Sequence, residues 1–188
     1  MHFISGLPRS GSTLLAALLR QNPAFHASFQ SPLGQMFVTL HEQMSHRTNE
    51  AACLMTDEQR MRCLRWLFSA YYADAFADPI VEVFDTNRRW CAYISTLSVL
   101  FPTCKVIACV RSPRAIIDSF ERLVRAHPLE ISHIIGAPNT TVYERLPSIY
   151  RLRGYLDTRS MRCAMRITVP IKNVLSSLTT TIWRSAPY

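Results

Sequence analysis

No apolar stretch in this chain approaches the roughly eighteen residues that a membrane span requires. The first strand-like run starts at residue 2 or 3. That leaves no room for a signal peptide ahead of it, so the expected location is the cytoplasm, with no membrane partner. The six cysteines, at 53, 63, 91, 104, 109 and 163, include no C-x-x-C pair. They are therefore expected to be buried free thiols, not a zinc site or a disulfide framework, and no metal is predicted. Acidic residues are nearly absent from the last 38 positions, where Asp157 stands alone against seven Arg and Lys, so residues 151–188 carry +6 of the formal +8. A basic tail of this kind suits nucleic acid, but no nucleic-acid-binding motif accompanies it, and a small polyanionic ligand would draw the same charge. Nucleic acid is not the expected partner.

Glycine is scarce as well, at five in 188 residues, yet two of the five stand at positions 6 and 11. Ile4-Ser5-Gly6-Leu7-Pro8-Arg9-Ser10-Gly11-Ser12-Thr13 precedes the apolar run Leu14 to Leu19. It reads as a short strand, a turn built on Pro8 and two glycines, and a helix opening near Gly11. A helix that starts in such a loop turns unpaired backbone N–H groups and the positive end of its dipole toward the loop, which favours an oxyanion. Gly6, Gly11 and the following hydroxyl have the spacing of the phosphate loop G-x-x-x-x-G-K-[ST], with Ser12 in the lysine position. Lacking that lysine, the chain is not expected to be an ordinary ATP or GTP hydrolase. The loop cation is Arg9, whose planar guanidinium suits phosphate or sulfate.

Gly-Leu-Pro-Arg-Ser-Gly-Ser-Thr-Leu-Leu resembles the 5′-phosphosulfate loop of the sulfotransferases, specifically the bacterial and protein-tyrosine branch. The resemblance implies a donor, 3′-phosphoadenosine 5′-phosphosulfate, held by Pro8, Arg9, Ser10, Gly11, Ser12 and Thr13. A second block, Val110-Arg111-Ser112-Pro113-Arg114-Ala115-Ile116-Ile117-Asp118-Ser119, is similar to the family's 3′-phosphate motif, with Arg111 at a strand end and Ser119 eight residues on. The helix that Ser112-Pro113 opens would supply a second anion site beside Arg111. Phe84-Asp85-Thr86-Asn87-Arg88 resembles the segment whose lysine touches the transferring sulfuryl group, and Arg88 falls on that lysine. The resemblance thus implies Arg9 and Arg88 as charge-stabilising catalytic residues. Where the tyrosine-protein branch carries a glutamate, Ala27 to Ser31 has none, so His26, nearby and able to titrate near neutrality, is the candidate base, with His41 beside Glu42 as another.

Helical spacing is expected after Ser31-Pro32 (Leu33, Met36, Phe37, Leu40, Met44) and after the capping-box pattern at Thr56 to Gln59 (Met61, Leu64, Leu67, Phe68, Tyr71, Phe76). Residues 24 to 33 read as a loop. Ile80 to Phe84 and Lys105 to Val110 read as strands, the latter apolar enough to be parallel and buried on both faces. Helices are expected at about Trp90 to Phe101 and after Ser112-Pro113. The order predicts an α/β, P-loop-type three-layer sandwich around a central parallel sheet, incomplete on its C-terminal side. The loops at Leu7 to Ser12, Asp85 to Arg89 and Arg111 to Arg114 should converge at the carboxyl ends of the strands.

Beyond residue 128 the pattern weakens. Residues 1–145 are read as the nucleotide-binding domain and 146–188 as a divergent or truncated tail, not a second domain. The segment 129–135 fits helix or strand, 143–155 is weakly helical, and Asn139-Thr140-Thr141 is an incidental glycosylation sequon. An incomplete sheet leaves an open edge, hence the expectation of marginal stability, disorder after about 157 and self-association. The functional expectation is sulfuryl transfer to a hydroxyl or amine acceptor. Its alternatives are a catalytically defective remnant and, disfavoured by Ser12, a P-loop kinase.

Overall fold

The computed structural model describes residues 1–45 and 49–127, and the backbone of 179–184. Five strands form one sheet: β1 (His2–Gly6), β2 (Phe25–Ala27), β3 (Glu82–Thr86), β4 (Lys105–Val110) and β5 (Thr179–Arg184), in the order β2-β3-β1-β4-β5. The first four are parallel, and β5 pairs antiparallel with β4 along its whole length, from Lys105 opposite Arg184 to Val110 opposite Thr179. The helices are α1 (Ser12–Leu19), α2 (Leu33–Gln43), α3 (Asp57–Tyr71), the short α4 (Ala73–Phe76), α5 (Ile94–Leu100) and α6 (Pro113–Ala126), with 3-10 turns at Glu50–Leu54 and Trp90–Ala92.

Alternation along the strands distributes the core over two faces. Phe3, Val83 and Val106 join Phe37, Phe68, Trp90 and Leu97 from α2, α3, the second 3-10 turn and α5. Ile4, Phe84 and Cys109 of the same strands face the opposite way, with Ala16 of α1 and Ala27 of β2. Phe3, Phe37, Phe68 and Trp90 are fully buried. Each buried phenylalanine contributes about 1.5–3 kcal/mol by removal from water. Edge-on ring contacts, such as Phe3–Trp90 at 5.3 Å and Phe37–Trp90 at 5.6 Å, fix how those rings interlock. The crossover after β1 leads to β2 and β3 on one side of it, while β4 lies on the other. A ligand crevice therefore belongs at the carboxyl ends of β1 and β4.

The α/β expectation holds, and several local readings change. Phe25–Ala27, read as loop, is an edge strand paired with Glu82 to Phe84; three residues are too few to show alternation. Asp85 and Thr86, read as loop chemistry, are the end of β3. Tertiary partners explain this: Asp85 is fully buried and accepts hydrogen bonds from Tyr72 Oη (2.5 Å) and Trp90 Nε1 (2.6 Å), which satisfy a carboxyl inside a sheet. Ser31 does not cap α2. It is buried, its N–H donates to the Thr86 carbonyl, and the helix begins at Leu33 after Pro32. Thr56 with Gln59 does form the capping box of α3, and Ser112 with Pro113 does open α6. The outer edge of β4, expected to be open, is paired by β5, drawn from the segment read as a tail. The readings of 129–135, 139–141 and 143–155, and of order after 157 apart from 179–184, lie outside the described residues. Of the cysteines, 91, 104 and 109 are buried free thiols, but Cys53 and Cys63 are exposed, the former in a 3-10 turn and the latter on the outward face of α3; Cys163 lies outside the described residues. No described helix is long and apolar enough to cross a membrane.

His2 fastens the lower end of the sheet. Its Nδ1 accepts the Lys105 N–H (3.1 Å), so Nε2 carries the proton and donates to Glu82 (2.8 Å). The neutral ring satisfies both strands, and burial lowers its pKa despite the opposing pull of Glu82. A depressed histidine pKa means that the stabilisation is complete above the unfolded value near 6.5 and is lost as pH falls below it toward the folded value. Urea midpoints compared at about pH 7.5 and 5.5 should therefore fall on acidification, and His2→Gln should remove part of that fall. An unchanged pH dependence in the variant would rule out His2 as its source.

Candidate anion-binding site at the strand ends

The loop after β1 is a tight, tied structure. Ser10 N–H donates to the Leu7 carbonyl (3.0 Å), Arg9 has a φ of 66°, and Gly11, at φ 104°, leads into α1 without a side-chain cap. The first α1 bond runs from Leu15 N–H to the Gly11 carbonyl (3.0 Å), so the N–H groups of Ser12, Thr13 and Leu14 face out of the helix end. A non-glycine residue in the left-handed region carries local strain, which the loop sustains at its only arginine. Ser10 Oγ is buried and has no hydrogen-bond partner among the described residues. Gly6 lies directly beneath it: a Cβ there would stand 2.5 Å from Ser10 Oγ and 2.8 Å from the Cys109 carbonyl oxygen. The absence of a side chain at residue 6 is what lets the loop fold down onto β4.

The second block meets the first. Arg9 Nε donates to Ser119 Oγ of α6 (2.9 Å), and Arg111 Nη1 donates to the Arg9 carbonyl (3.0 Å). Residues more than 100 positions apart are thereby joined across the crevice between β1 and β4. Arg9 is exposed, while Arg111 and Ser119 are half-buried, so the remaining guanidinium donors stay within reach of a ligand. Ser112 Oγ accepts Ala115 N–H (3.3 Å) and is used as the α6 cap, with Pro113 in the first turn. Arg114 is exposed on that turn.

Arg88 sits in the loop after β3, beside the β1 loop, and is half-buried. The loop is held at several points. Asn87 N–H donates to the Ile4 carbonyl (3.0 Å), Asn87 Nδ2 to the Ser31 carbonyl (3.0 Å), and Asn87 Oδ1 accepts Arg89 N–H (3.1 Å). Gly34, in the first turn of α2, is pressed against the Asn87 side chain, which a Cβ would overlap. Gly34→Ala is expected to cost about 1–3 kcal/mol by forcing Asn87 away, and to cost markedly less in an Asn87→Ala background where the room exists. Denaturant midpoints of the four proteins measure this; equal costs in both backgrounds would mean that the two sites are independent.

Neither histidine comes to these loops. His26 lies in β2 opposite Val83, three residues and about 10 Å of strand short of Thr86, with its ring 5.6 Å from that of Tyr72. His41 is eight residues, or about 12 Å, along α2 from Leu33. It stacks on Phe37 and lines a cavity of about 490 Å³ between α2, α3 and α5. What the sequence did not reveal is the buried support beneath Arg88, from Ser5, Tyr72, Asp85 and Trp90, whose residue types have no motif spacing.

The described residues bring Arg9, Ser10, Gly11, Ser12, Arg111 and Ser119 together, with the Arg88 loop alongside. They present a helix N-terminus and several guanidinium donors in a crevice, an arrangement suited to a ligand carrying more than one anionic group. No curated protein matches the chain. A comparison with protein families matches residues 2–157 to the sulfotransferase family, a span that contains both candidate anion loops and the Arg88 segment. With that match covering most of its length, the chain belongs to the sulfotransferase family.

Proposed function

We propose that this chain binds 3′-phosphoadenosine 5′-phosphosulfate and transfers its sulfuryl group to a hydroxyl or amine acceptor. The observation that carries the reading is the joining of the two loops by Arg9–Ser119 and Arg111–Arg9 contacts. A ligand phosphorylated at both 5′ and 3′ positions needs two anion sites at a fixed separation, and contacts that tie the two loops together support that reading. The donor fits on three observations of this chain: the bare Gly6 floor, the unpartnered Ser10 hydroxyl, and the free N–H groups opening α1.

The donor supplies the sulfuryl group and an adenosine bisphosphate leaving group. On this reading the α1 N-terminus, Ser10, Ser12 and Thr13 hold the 5′-phosphate, while Arg111 and Ser119 hold the 3′-phosphate. Arg9 and Arg88 place positive charge where it develops on the bridging oxygen. Such transfer asks the protein mainly to align partners and stabilise charge, as in phosphoryl transfer. Residues 1–145, together with β5 from the segment read as a tail, make up the binding domain on this reading. A second reading, a chain that binds nucleotide without turnover, draws support from the positions of His26 and His41, both distant from the loops. Incubation with donor carrying a labelled sulfuryl group and a panel of alcohols, phenols and amines separates the two. Labelled product that disappears in Arg9→Ala and Arg88→Ala supports transfer; tight bisphosphate binding with no product supports the second reading.

A further inference from the structure

Ser5 is a fully buried hydroxyl in the central strand of the sheet, between Ile4 and Gly6. A hydroxyl in such a place is costly unless it is bonded, and alanine would fill the strand position without that cost. Both bonds that it makes go to one loop. Ser5 Oγ donates to the Arg88 carbonyl (3.0 Å) and accepts the Cys91 N–H (3.2 Å). A second buried side chain grips the same segment from outside: Asp85 accepts the Trp90 indole N–H at 2.6 Å, closing the chain from 85 to 90. Arg88 is thus anchored through its own carbonyl to the strand that carries the anion loop.

We propose that Ser5 is a positioning residue for Arg88, setting its backbone relative to the β1 loop so that its charge meets the sulfuryl end of the donor. This rests on the reading of Arg88 given above. Ser5 touches no substrate; it acts through the Arg88 carbonyl, with the Asp85–Trp90 bond as the second support of the same loop. A purely structural Ser5 would weaken all ligands alike as stability fell. A positioning Ser5 should weaken only the ligand that bears the sulfuryl group.

The test is calorimetric titration of the full chain with 3′-phosphoadenosine 5′-phosphosulfate and, separately, with adenosine 3′,5′-bisphosphate, for Ser5→Ala, Arg88→Ala and the double variant, with melting curves for each. Arg88→Ala should weaken the phosphosulfate about tenfold and the bisphosphate less than about twofold, because a charge-assisted contact to the sulfuryl group alone is lost. Ser5→Ala should show the same split at about three- to tenfold, and the double variant should be no worse than Arg88→Ala, since the two act through one contact. Trp90→Phe, which removes the indole donor to Asp85 together with part of the ring packed on Phe3 and Phe37, should reproduce the split beside a stability loss read from its melting curve, and stands in if Ser5→Ala does not fold. An Arg88→Ala split with additive, unsplit losses in Ser5→Ala would overturn the positioning role while leaving Arg88 in place. Equal affinities for Arg88→Ala and the parent chain would overturn the Arg88 reading itself, and Ser5 with it.

Discussion

Gly6→Ala is expected to cost about 1–3 kcal/mol of stability and to abolish tight binding of adenosine 3′,5′-bisphosphate. The added Cβ would meet Ser10 Oγ at 2.5 Å, the Cys109 carbonyl oxygen at 2.8 Å and Cys109 Cβ at 3.0 Å. A hydroxyl can rotate away, but the carbonyl belongs to the paired strand, whose Cys109 stands in register with Gly6. Relief requires either parting β1 from β4 at their carboxyl ends or lifting the Leu7 to Gly11 loop. Both movements disturb the crevice where the two proposed anion sites meet. Denaturant midpoints report the first cost and calorimetry the second. Parent-like values in both would mean that the loop does not depend on the close approach at Gly6.

Arg111→Ala should weaken binding of the bisphosphate by more than about 1.5 kcal/mol, roughly tenfold or more, through the loss of charge-assisted hydrogen bonds to the 3′-phosphate. From the motif alone, a ligand lacking that phosphate should hardly notice the change. The bond from Arg111 Nη1 to the Arg9 carbonyl alters that expectation. Arg111 also steadies a residue held at positive φ in the 5′ loop, so adenosine 5′-phosphate should lose affinity too, though by less. Titrations of both ligands against parent and variant give the two losses. Equal losses would show that Arg111 serves the loop and does not read the 3′ position.

Much of this arrangement was legible because the candidate loops are local. Gly6, Pro8, Gly11 and Thr13 lie within one turn and its helix start, and Ser112-Pro113 announces α6 by cap chemistry that the structure shows at Ala115 N–H. Strand β4 was legible because burial on both faces leaves a continuous apolar run, and α3 because Thr56 and Gln59 form their reciprocal cap. What escaped depends on partners distant in sequence. Asp85 belongs to a strand only because Tyr72 and Trp90 satisfy it, and Ser31, tied by its N–H to the Thr86 carbonyl, stands ahead of the helix with no helix N–H bonded to its hydroxyl. Phe25–Ala27 is a strand because β3 offers it an edge. Likewise, Thr179–Arg184 has no periodicity of its own that commits it to a strand, and the open edge of β4 supplies the pairing. At the site, the contacts from Arg9 to Ser119 and from Arg111 to Arg9 span more than 100 residues and could not be read from spacing.

The most direct measurement is a calorimetric comparison of adenosine 3′,5′-bisphosphate, ATP and GTP binding to the purified chain. The two proposed anion sites, joined across β1 and β4, with serine in place of the phosphate-loop lysine, predict that the bisphosphate binds more tightly than either triphosphate and that the preference collapses in Arg111→Ala. Tighter binding of ATP or GTP, or no binding of the bisphosphate at all, would contradict the assignment of the crevice to a 3′- and 5′-phosphorylated donor.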